Sequence, residues 1–192
     1  MKCVNKVEII KAFIYGSCSY LIGGLASLPF EWIRGNTMLL PRVSLIAVGV
    51  GGFILGFLIN GRKRESVGKF SIVAITSYLT VIFINFISTS ISLGQEFSTA
   101  ILVWRILIPA IVYSLAFGIQ MYGISSATLF ITASTLAALP FSLATLFFHL
   151  SNTKPLEPES LWMFVSMGAA VAVSIRSIEM RKSHRGTRRK EA

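Results

Sequence analysis

The charged residues of this chain are gathered into short clusters, and the long stretches between the clusters carry no charge at all. Three of these stretches, 12–30, 43–61 and 70–95, contain 19, 19 and 26 residues. A helix needs roughly 20 apolar residues to cross a membrane. Asp, Glu, Lys and Arg make up only 14% of the chain, against roughly 25% in a soluble domain. The pattern therefore predicts membrane-spanning helices.

A longer uncharged stretch follows the first three. Between Arg105 and Lys154 lie 48 residues without charge, which is too long for one spanning helix. We expect two helices here, 101–119 and 123–149, joined by a turn. The residues that favour the turn are Gly118, Gln120, Tyr122 and Gly123.

The last uncharged stretch, 160–175, is short. Its 16 residues would reach only about 24 Å at a helical rise of 1.5 Å per residue. The stretch spans a membrane if Arg176 extends its guanidinium to the interface, so we place the sixth helix at 160–177. The predicted fold class is thus all-α, a polytopic bundle of six transmembrane helices within residues 1–178.

The carboxyl-terminal segment 179–192 is dense in positive charge and has no apolar periodicity. Such a segment cannot bury an apolar face, so we predict a disordered basic tail. Because the cytoplasmic leaflet of a membrane is negatively charged, we expect this tail to lie against anionic lipid headgroups.

Lysine and arginine are unevenly distributed between the segments that separate the predicted helices. The larger set, on alternate segments, holds 14 of the 18 basic residues: Lys2, Lys6, Lys11, Arg62, Lys63, Arg64, Lys69, Arg176, Arg181, Lys182, Arg185, Arg188, Arg189 and Lys190. The other set is Arg34, Arg42, Arg105 and Lys154. Basic residues in short loops favour the cytoplasmic side. We therefore predict a bacterial inner-membrane protein with both termini cytoplasmic.

The first apolar stretch has an alternative interpretation as a cleaved signal peptide. Basic residues precede it, and GLAS at 24–27 has the form of a cleavage site. However, the apolar region of a signal peptide is usually about 7 to 15 residues long, and the sequence FEWIR at 30–34 is typical of an interfacial anchor. We favour a spanning helix.

One charge, Arg105, lies inside the fourth predicted helix, near its outer end and next to Trp104. The sequence favours a boundary charge that reaches the outer headgroups, with Glu96 as a partner. Two alternatives stay open. Arg105 faces the bundle and pairs with Glu96 or Glu31, because an unpaired charge in lipid is costly, or it binds an anionic solute from the outer side.

Three residues near Arg105 support the solute alternative. Pro109 is one turn deeper in the same helix, Pro140 lies in the outer half of the fifth helix, and His149 is at the outer end of that helix. Proline frees backbone carbonyls and kinks helices. The candidate ligand-binding residues are therefore Arg105, Trp104, Glu96 and His149.

Small residues recur at helical spacing in the first two predicted helices. The residues are Gly16, Gly23, Gly49, Gly52 and Gly56. Small side chains let helix backbones approach closely in membranes. We expect these residues to pack helices within the bundle; docking on a partner membrane protein or on another copy is the alternative.

Catalysis and cofactor binding find no support in the residues. GISS at 123–126 resembles the nucleophile motif of intramembrane serine proteases, but Ser125 and His149 would be about 36 Å apart on one helix. Cys3 and Cys18 form neither a zinc pattern nor a disulfide framework. We predict no catalytic residue, no metal and no cofactor. Nucleic acid is not expected as a partner, because the basic residues are confined to short segments between apolar runs.

The sequence therefore predicts a non-enzymatic multi-pass membrane protein, either a solute-binding or a transport component with its site in the outer half of the bundle. The alternative is an interaction protein without a ligand, such as an anchor, an exclusion or immunity factor, or a sensory membrane module. Polar residues within the helices, among them Asn85 and Gln120, are expected to join helices.

Overall fold

The computed structural model describes residues 4–34, 40–60, 64–91, 99–150 and 159–188. Within these ranges it describes the side chains of residues 6–27, 44–59, 67–84, 106–147 and 161–181. The α-helices are α1 (Val4–Arg34), α2 (Leu40–Asn60), α3 (Arg64–Ile91), α4 (Thr99–Tyr122), α5 (Ala127–Leu150) and α6 (Glu159–Arg188). The predicted all-helical fold is confirmed.

By length and composition, four helices among the described residues are able to cross a membrane. Their apolar segments are Lys6–Ser27 in α1, Val67–Ile84 in α3, Leu161–Arg181 in α6, and Ile124–Phe147, which covers most of α5. The described apolar parts of α2 and α4, Ser44–Ile59 and Ile106–Tyr122, are shorter.

The first and last helices are longer than the apolar stretches that predict them. α1 begins at Val4 and α6 ends at Arg188, whereas the predicted limits are 12 and 177. The predicted limits mark where apolar residues give way to charged ones. The helix itself continues beyond that point, because its backbone hydrogen bonds also form among charged residues in water. α6 thus continues through much of the segment predicted to be disordered, and residues 189–192 lie outside the described ranges.

The turn between α4 and α5 lies at Gly123. Its φ of 82° falls in the left-handed region that favours glycine, and its N–H donates to Ile119 O at 3.0 Å. Gly118, expected to help form the turn, lies inside α4. There a Cβ atom would come within 2.5 Å of the Phe130 ring, so Gly118 allows α4 and α5 to pack closely.

The helices form a bundle in which α6 packs against α1, α4 and α5, while α1 packs on α2, α2 on α3 and α3 on α4. α1 and α6 are antiparallel, because Gly16 faces Gly168 and Gly24 faces Leu161. The start of α1 and the end of α6 therefore lie at the same end of the bundle. We call this the basic end, defined by Lys6, Lys11, Lys69 and Arg181.

α6 is the most enclosed helix among the described residues. Every residue from 164 to 175 is buried, which covers all sides of the helix. The sequence there, FVSMGAAVAVSI, is rich in small residues, which let α1, α4 and α5 approach closely. α6, which has the shortest of the predicted apolar stretches, is thus the helix that α1, α4 and α5 surround.

Candidate functional site

A pair of tyrosines lies in the interior of the bundle. Tyr20 of α1 and Tyr113 of α4 are completely buried, and their hydroxyl groups are hydrogen-bonded to each other. Their rings meet edge to face with centroids 5.9 Å apart. A buried hydroxyl without a partner is costly, so the two side chains satisfy each other across the core.

A third tyrosine of the same core joins α3 to two more helices. The Tyr78 hydroxyl of α3 is hydrogen-bonded to Ser44 of α2. The Tyr78 ring lies against Phe164 of α6, with centroids 5.9 Å apart. Phe70 and Phe117 fill the interior nearer the basic end. The core between α1, α2, α3, α4 and α6 is therefore aromatic, with its hydroxyls paired.

Two serines join α4 to α6. Ser114 Oγ and Ser174 Oγ are both buried and lie 3.3 Å apart. The Ser174 hydroxyl donates to Ala170 O at 2.7 Å. A hydroxyl has only one proton to donate, so Ser114 is the donor to Ser174. This contact joins helices, as expected of hydroxyls inside a membrane bundle.

An ion network lies at the basic end. Arg176 of α6 donates to Glu8 of α1 at 2.6 Å and to Glu179 at 2.8 Å, and Lys11 lies 3.5 Å from Glu8. The Arg176 side chain was expected to extend to the membrane interface, and it is 37% exposed. The network balances two carboxylates against two cations and ties the start of α1 to the end of α6.

An amide contact joins α3 to α4 on the outside of the bundle. Gln120 Oε1 accepts from Thr76 Oγ1 at 2.6 Å, and Gln120 Nε2 donates to Ser77 Oγ at 3.2 Å. Thr76 and Gln120 are exposed, whereas Ser77 is buried. Gln120 thus joins α3 to α4 from an exposed position in the last turn of α4.

Three of the four predicted ligand-binding residues fall in two neighbouring helices, although their side chains lie outside those described. Trp104 and Arg105 belong to the first two turns of α4, and His149 belongs to the last turn of α5. Glu96 lies outside the described residues. α4 and α5 are antiparallel neighbours, so the start of α4 and the end of α5 lie together, opposite the basic end.

The two prolines lie within continuous helices. Pro109 is buried inside α4, and Pro140 is exposed inside α5. Each removes a backbone donor from its helix. These are the positions at which the sequence predicts kinks.

The five glycines named from the sequence all lie at contacts between helices. Gly16 faces α6 and Gly23 faces α2, each against a backbone carbonyl that a Cβ atom would overlap. Gly49, Gly52 and Gly56 face α3. These glycines are engaged inside the bundle.

Catalytic geometry is not evident in the described part of the chain. Ser126 Oγ donates to Gly123 O in the turn at 2.7 Å and lies 3.3 Å from Gly118 O of α4, whereas Ser125 is exposed. In these same ranges no group of three or more His, Cys, Asp or Glu side chains is placed to hold a metal ion. The Ser126 hydroxyl therefore stabilises the turn between α4 and α5.

Several of these contacts could not be read from the sequence. Glu8 and Tyr20 carried no local signal, because their partners Arg176 and Tyr113 are distant in the chain. The only available hint for Arg176 was its position at the end of an apolar stretch.

No protein-family model matches the chain, and no curated protein or solved structure is significantly similar to it.

Proposed function

We propose that this chain is a six-span protein of a bacterial inner membrane, with both termini cytoplasmic. Two independent observations support the proposal. Fourteen of the 18 basic residues fall on the alternate segments assigned to the cytoplasm. The bond between Glu8 and Arg176 holds the start of α1 and the end of α6 together, and an even number of crossings has that result.

Within this membrane protein, we assign a binding function without catalysis. The observation that supports it is the placement of Trp104 and Arg105 in the first two turns of α4, beside the last turn of α5, which holds His149. At the basic end, by contrast, Arg176 is already engaged by Glu8 and Glu179, and the aromatic core holds a hydrogen-bonded pair of tyrosines. A solute would therefore bind at the opposite end, where Arg105 and Trp104 begin α4 and His149 ends α5.

The residues at that end favour an anionic solute. Arginine presents a planar fork of donors that matches a carboxylate or a phosphate with two parallel hydrogen bonds. Tryptophan offers an apolar surface with one donor, and histidine supplies another donor or acceptor. Arg105 is the principal contact in this proposal, and Trp104, Glu96 and His149 are the further candidate contacts. The proposed function is therefore the binding or transport of a small carboxylate or phosphate.

The test is stabilisation of the purified full chain by small anions. Helical circular dichroism is followed during heating in detergent, with a panel of simple carboxylates and phosphates added one at a time. We expect at least one anion to raise the melting temperature of the native protein and of Arg181→Leu, a matched control at the basic end. The same anion should have no effect on Arg105→Leu. Equal stabilisation of Arg105→Leu would contradict the proposed site.

The second candidate function is an interaction protein without a ligand. The filled interior, in which Tyr20, Tyr113 and Phe117 are completely buried, favours it, because a solute needs a concave space to bind. If none of the carboxylates and phosphates raises the melting temperature of the native protein, this second candidate becomes the better one.

A further inference from the structure

The side of α4 on which Arg105 falls follows from a contact farther along the helix. Ser114 Oγ lies 3.3 Å from Ser174 Oγ, so Ser114 marks the side of α4 that faces α6. Arg105 precedes Ser114 by nine residues, which is about two and a half turns at 3.6 residues per turn. Position 105 therefore falls on the opposite side of α4, away from α6.

The described residues on that side of α4 face outward. Helical spacing along the same side leads from position 105 to Ile108, Val112 and Ile119. Ile108 and Ile119 are 41% and 40% exposed, and Val112 is half-buried. Pro109 lies at the edge of this side, where burial begins. In a membrane, position 105 is therefore on the lipid-facing side of the helix.

Arg105 lies near the end of the bundle that is opposite the basic end. The Ser114 contact joins α4 to α6 with an offset of 60 residues, and both helices run toward the basic end. The same offset places Thr99 level with Glu159, which are the first residues of the two helices. Arg105 is six residues from Thr99, which is about 9 Å at 1.5 Å per residue. A long arginine side chain brings its charge from such a depth toward headgroup level.

A charge at this position needs an anionic partner, because an unpaired charge among lipid chains is costly. Within the described helices, three glutamates lie at the basic end, and the other two, Glu31 and Glu159, belong to α1 and α6. A carboxylate on either of these helices approaches α4 from the bundle side, opposite position 105. The outward side of α4 is open to lipid, so a partner from the bilayer fits it better.

We propose that the anion bound by Arg105 is the phosphate of an anionic phospholipid in the outer leaflet. The proposal rests on the proposed function, an anion site at Arg105, and names its class of ligand. A phospholipid supplies a phosphate at headgroup level and acyl chains that cover the exposed Ile108 and Ile119. The guanidinium fork matches two phosphate oxygens, and tryptophan, the type of Trp104, is enriched at this interface. A free phosphate offers the same oxygens without the apolar contact, so the phospholipid should bind more tightly.

The first test uses lipids with brominated acyl chains, which quench the fluorescence of a nearby tryptophan. Trp32→Phe and Trp162→Phe leave Trp104 as the single reporter in the full chain, which is reconstituted in phosphatidylcholine liposomes. We expect brominated phosphatidylglycerol to quench Trp104 at a lower lipid fraction than brominated phosphatidylethanolamine. This preference should fall roughly tenfold in Arg105→Leu, since a hydrogen bond to a charged group is lost. It should persist in Arg181→Leu, the matched control at the basic end. Equal quenching by the two lipids, or the same preference in Arg105→Leu, overturns the proposal.

The second test keeps every tryptophan, so it decides even if the single-tryptophan chain fails to fold, and it separates a lipid from a free anion. The melting temperatures of the native chain and of Arg105→Leu are measured in detergent with phosphatidylglycerol or with glycerol phosphate, its headgroup without acyl chains. We expect a rise that depends on Arg105 with both, and with the lipid at a concentration at least roughly tenfold lower.

The outcomes of the second test separate this proposal from the proposed function. A rise that depends on Arg105 with glycerol phosphate alone, or with both at equal concentration, overturns the lipid proposal and leaves the anion site. Such a rise with the lipid alone supports the lipid and contradicts binding of a free solute. No rise that depends on Arg105 with either one overturns both.

Discussion

Arg176 near the end of α6 donates a hydrogen bond of 2.6 Å to Glu8 near the start of α1, although the two residues are 168 positions apart. The same guanidinium bonds Glu179 at 2.8 Å. The first and last helices are therefore joined at the basic end by charge as well as by the close contact of Gly16 with Gly168. The two contacts hold α1 and α6 in one antiparallel register.

This ion pair should make a small but measurable contribution to stability. The Arg176 and Glu8 side chains are 37% and 32% exposed, so water screens the attraction. We expect a small coupling energy, seen as a departure of the double variant from the sum of the two single losses. It is measured with Glu8→Gln, Arg176→Leu and the double variant during unfolding in mixed micelles. Arg181→Leu is the control and should show no coupling to Glu8→Gln; the same coupling there would assign the effect to general charge.

The two hydroxyls of the tyrosine pair should make non-additive contributions to the free energy of unfolding. Tyr113→Phe leaves the buried Tyr20 hydroxyl without its partner, at a cost of about 1 to 3 kcal/mol. The double variant Tyr20→Phe with Tyr113→Phe leaves no orphaned hydroxyl, so its loss of unfolding free energy should be below the sum of the two single losses. Tyr15→Phe, at a 45% exposed position, is the control and should be nearly neutral. Strict additivity would show that the two hydroxyls act independently.

The contact between α2 and α3 should not tolerate a larger residue at Gly56. A Cβ atom there would lie 2.8 Å from Phe70 Cβ, and Ile adds more volume. Overpacking usually costs about 1 to 3 kcal/mol, so Gly56→Ile should lower both the folded yield in detergent and the melting temperature. Gly68→Ile is the matched control on α3, because nothing lies within 4 Å of a Cβ atom at Gly68. If Gly56→Ile and Gly68→Ile have the same folded yield and melting temperature, the close contact of α2 with α3 at Gly56 does not contribute to stability.

The helices were predictable from the sequence because the cost of placing charge in hydrocarbon is paid residue by residue. Stretches without charge therefore mark apolar helices directly. The exact ends were not predictable, since α6 continues to Arg188 in a region where charge does not oppose a helix. Gly118 and Gly123 show the same limit: both favour a turn locally, but Gly118 lies inside α4, where it packs against Phe130.

The site residues were less accessible to sequence reasoning, because their partners lie on other helices. Gly52 and Gly56 carry a recognisable spacing, but the spacing does not say that α3 is their neighbour. Tyr20 and Tyr113 are 93 positions apart and look like any other aromatic residues of a membrane helix. Arg105, in contrast, is apparent from the sequence, because it is a single charge inside an apolar stretch.

The orientation has a direct test in reporter fusions. Fusions within 61–69 and at Asn152 should report opposite compartments, cytoplasmic for the first and external for the second, because basic residues favour the cytoplasm. Activity of a phosphatase that folds only outside the cytoplasm, and of a fluorescent protein that folds only inside it, provides the paired readout. The same compartment at both positions would contradict six crossings.

The most direct test of a binding function at the end opposite the basic end is titration of the most stabilising anion into three proteins, measured by calorimetry. The native chain should bind it, and Arg105→Leu should bind it at least roughly tenfold more weakly, since a hydrogen bond to a charged group is lost. Arg105→Lys should also bind more weakly than the native chain, because lysine cannot form two parallel bonds. Equal affinity in all three proteins would contradict the account and make Arg105 a boundary charge.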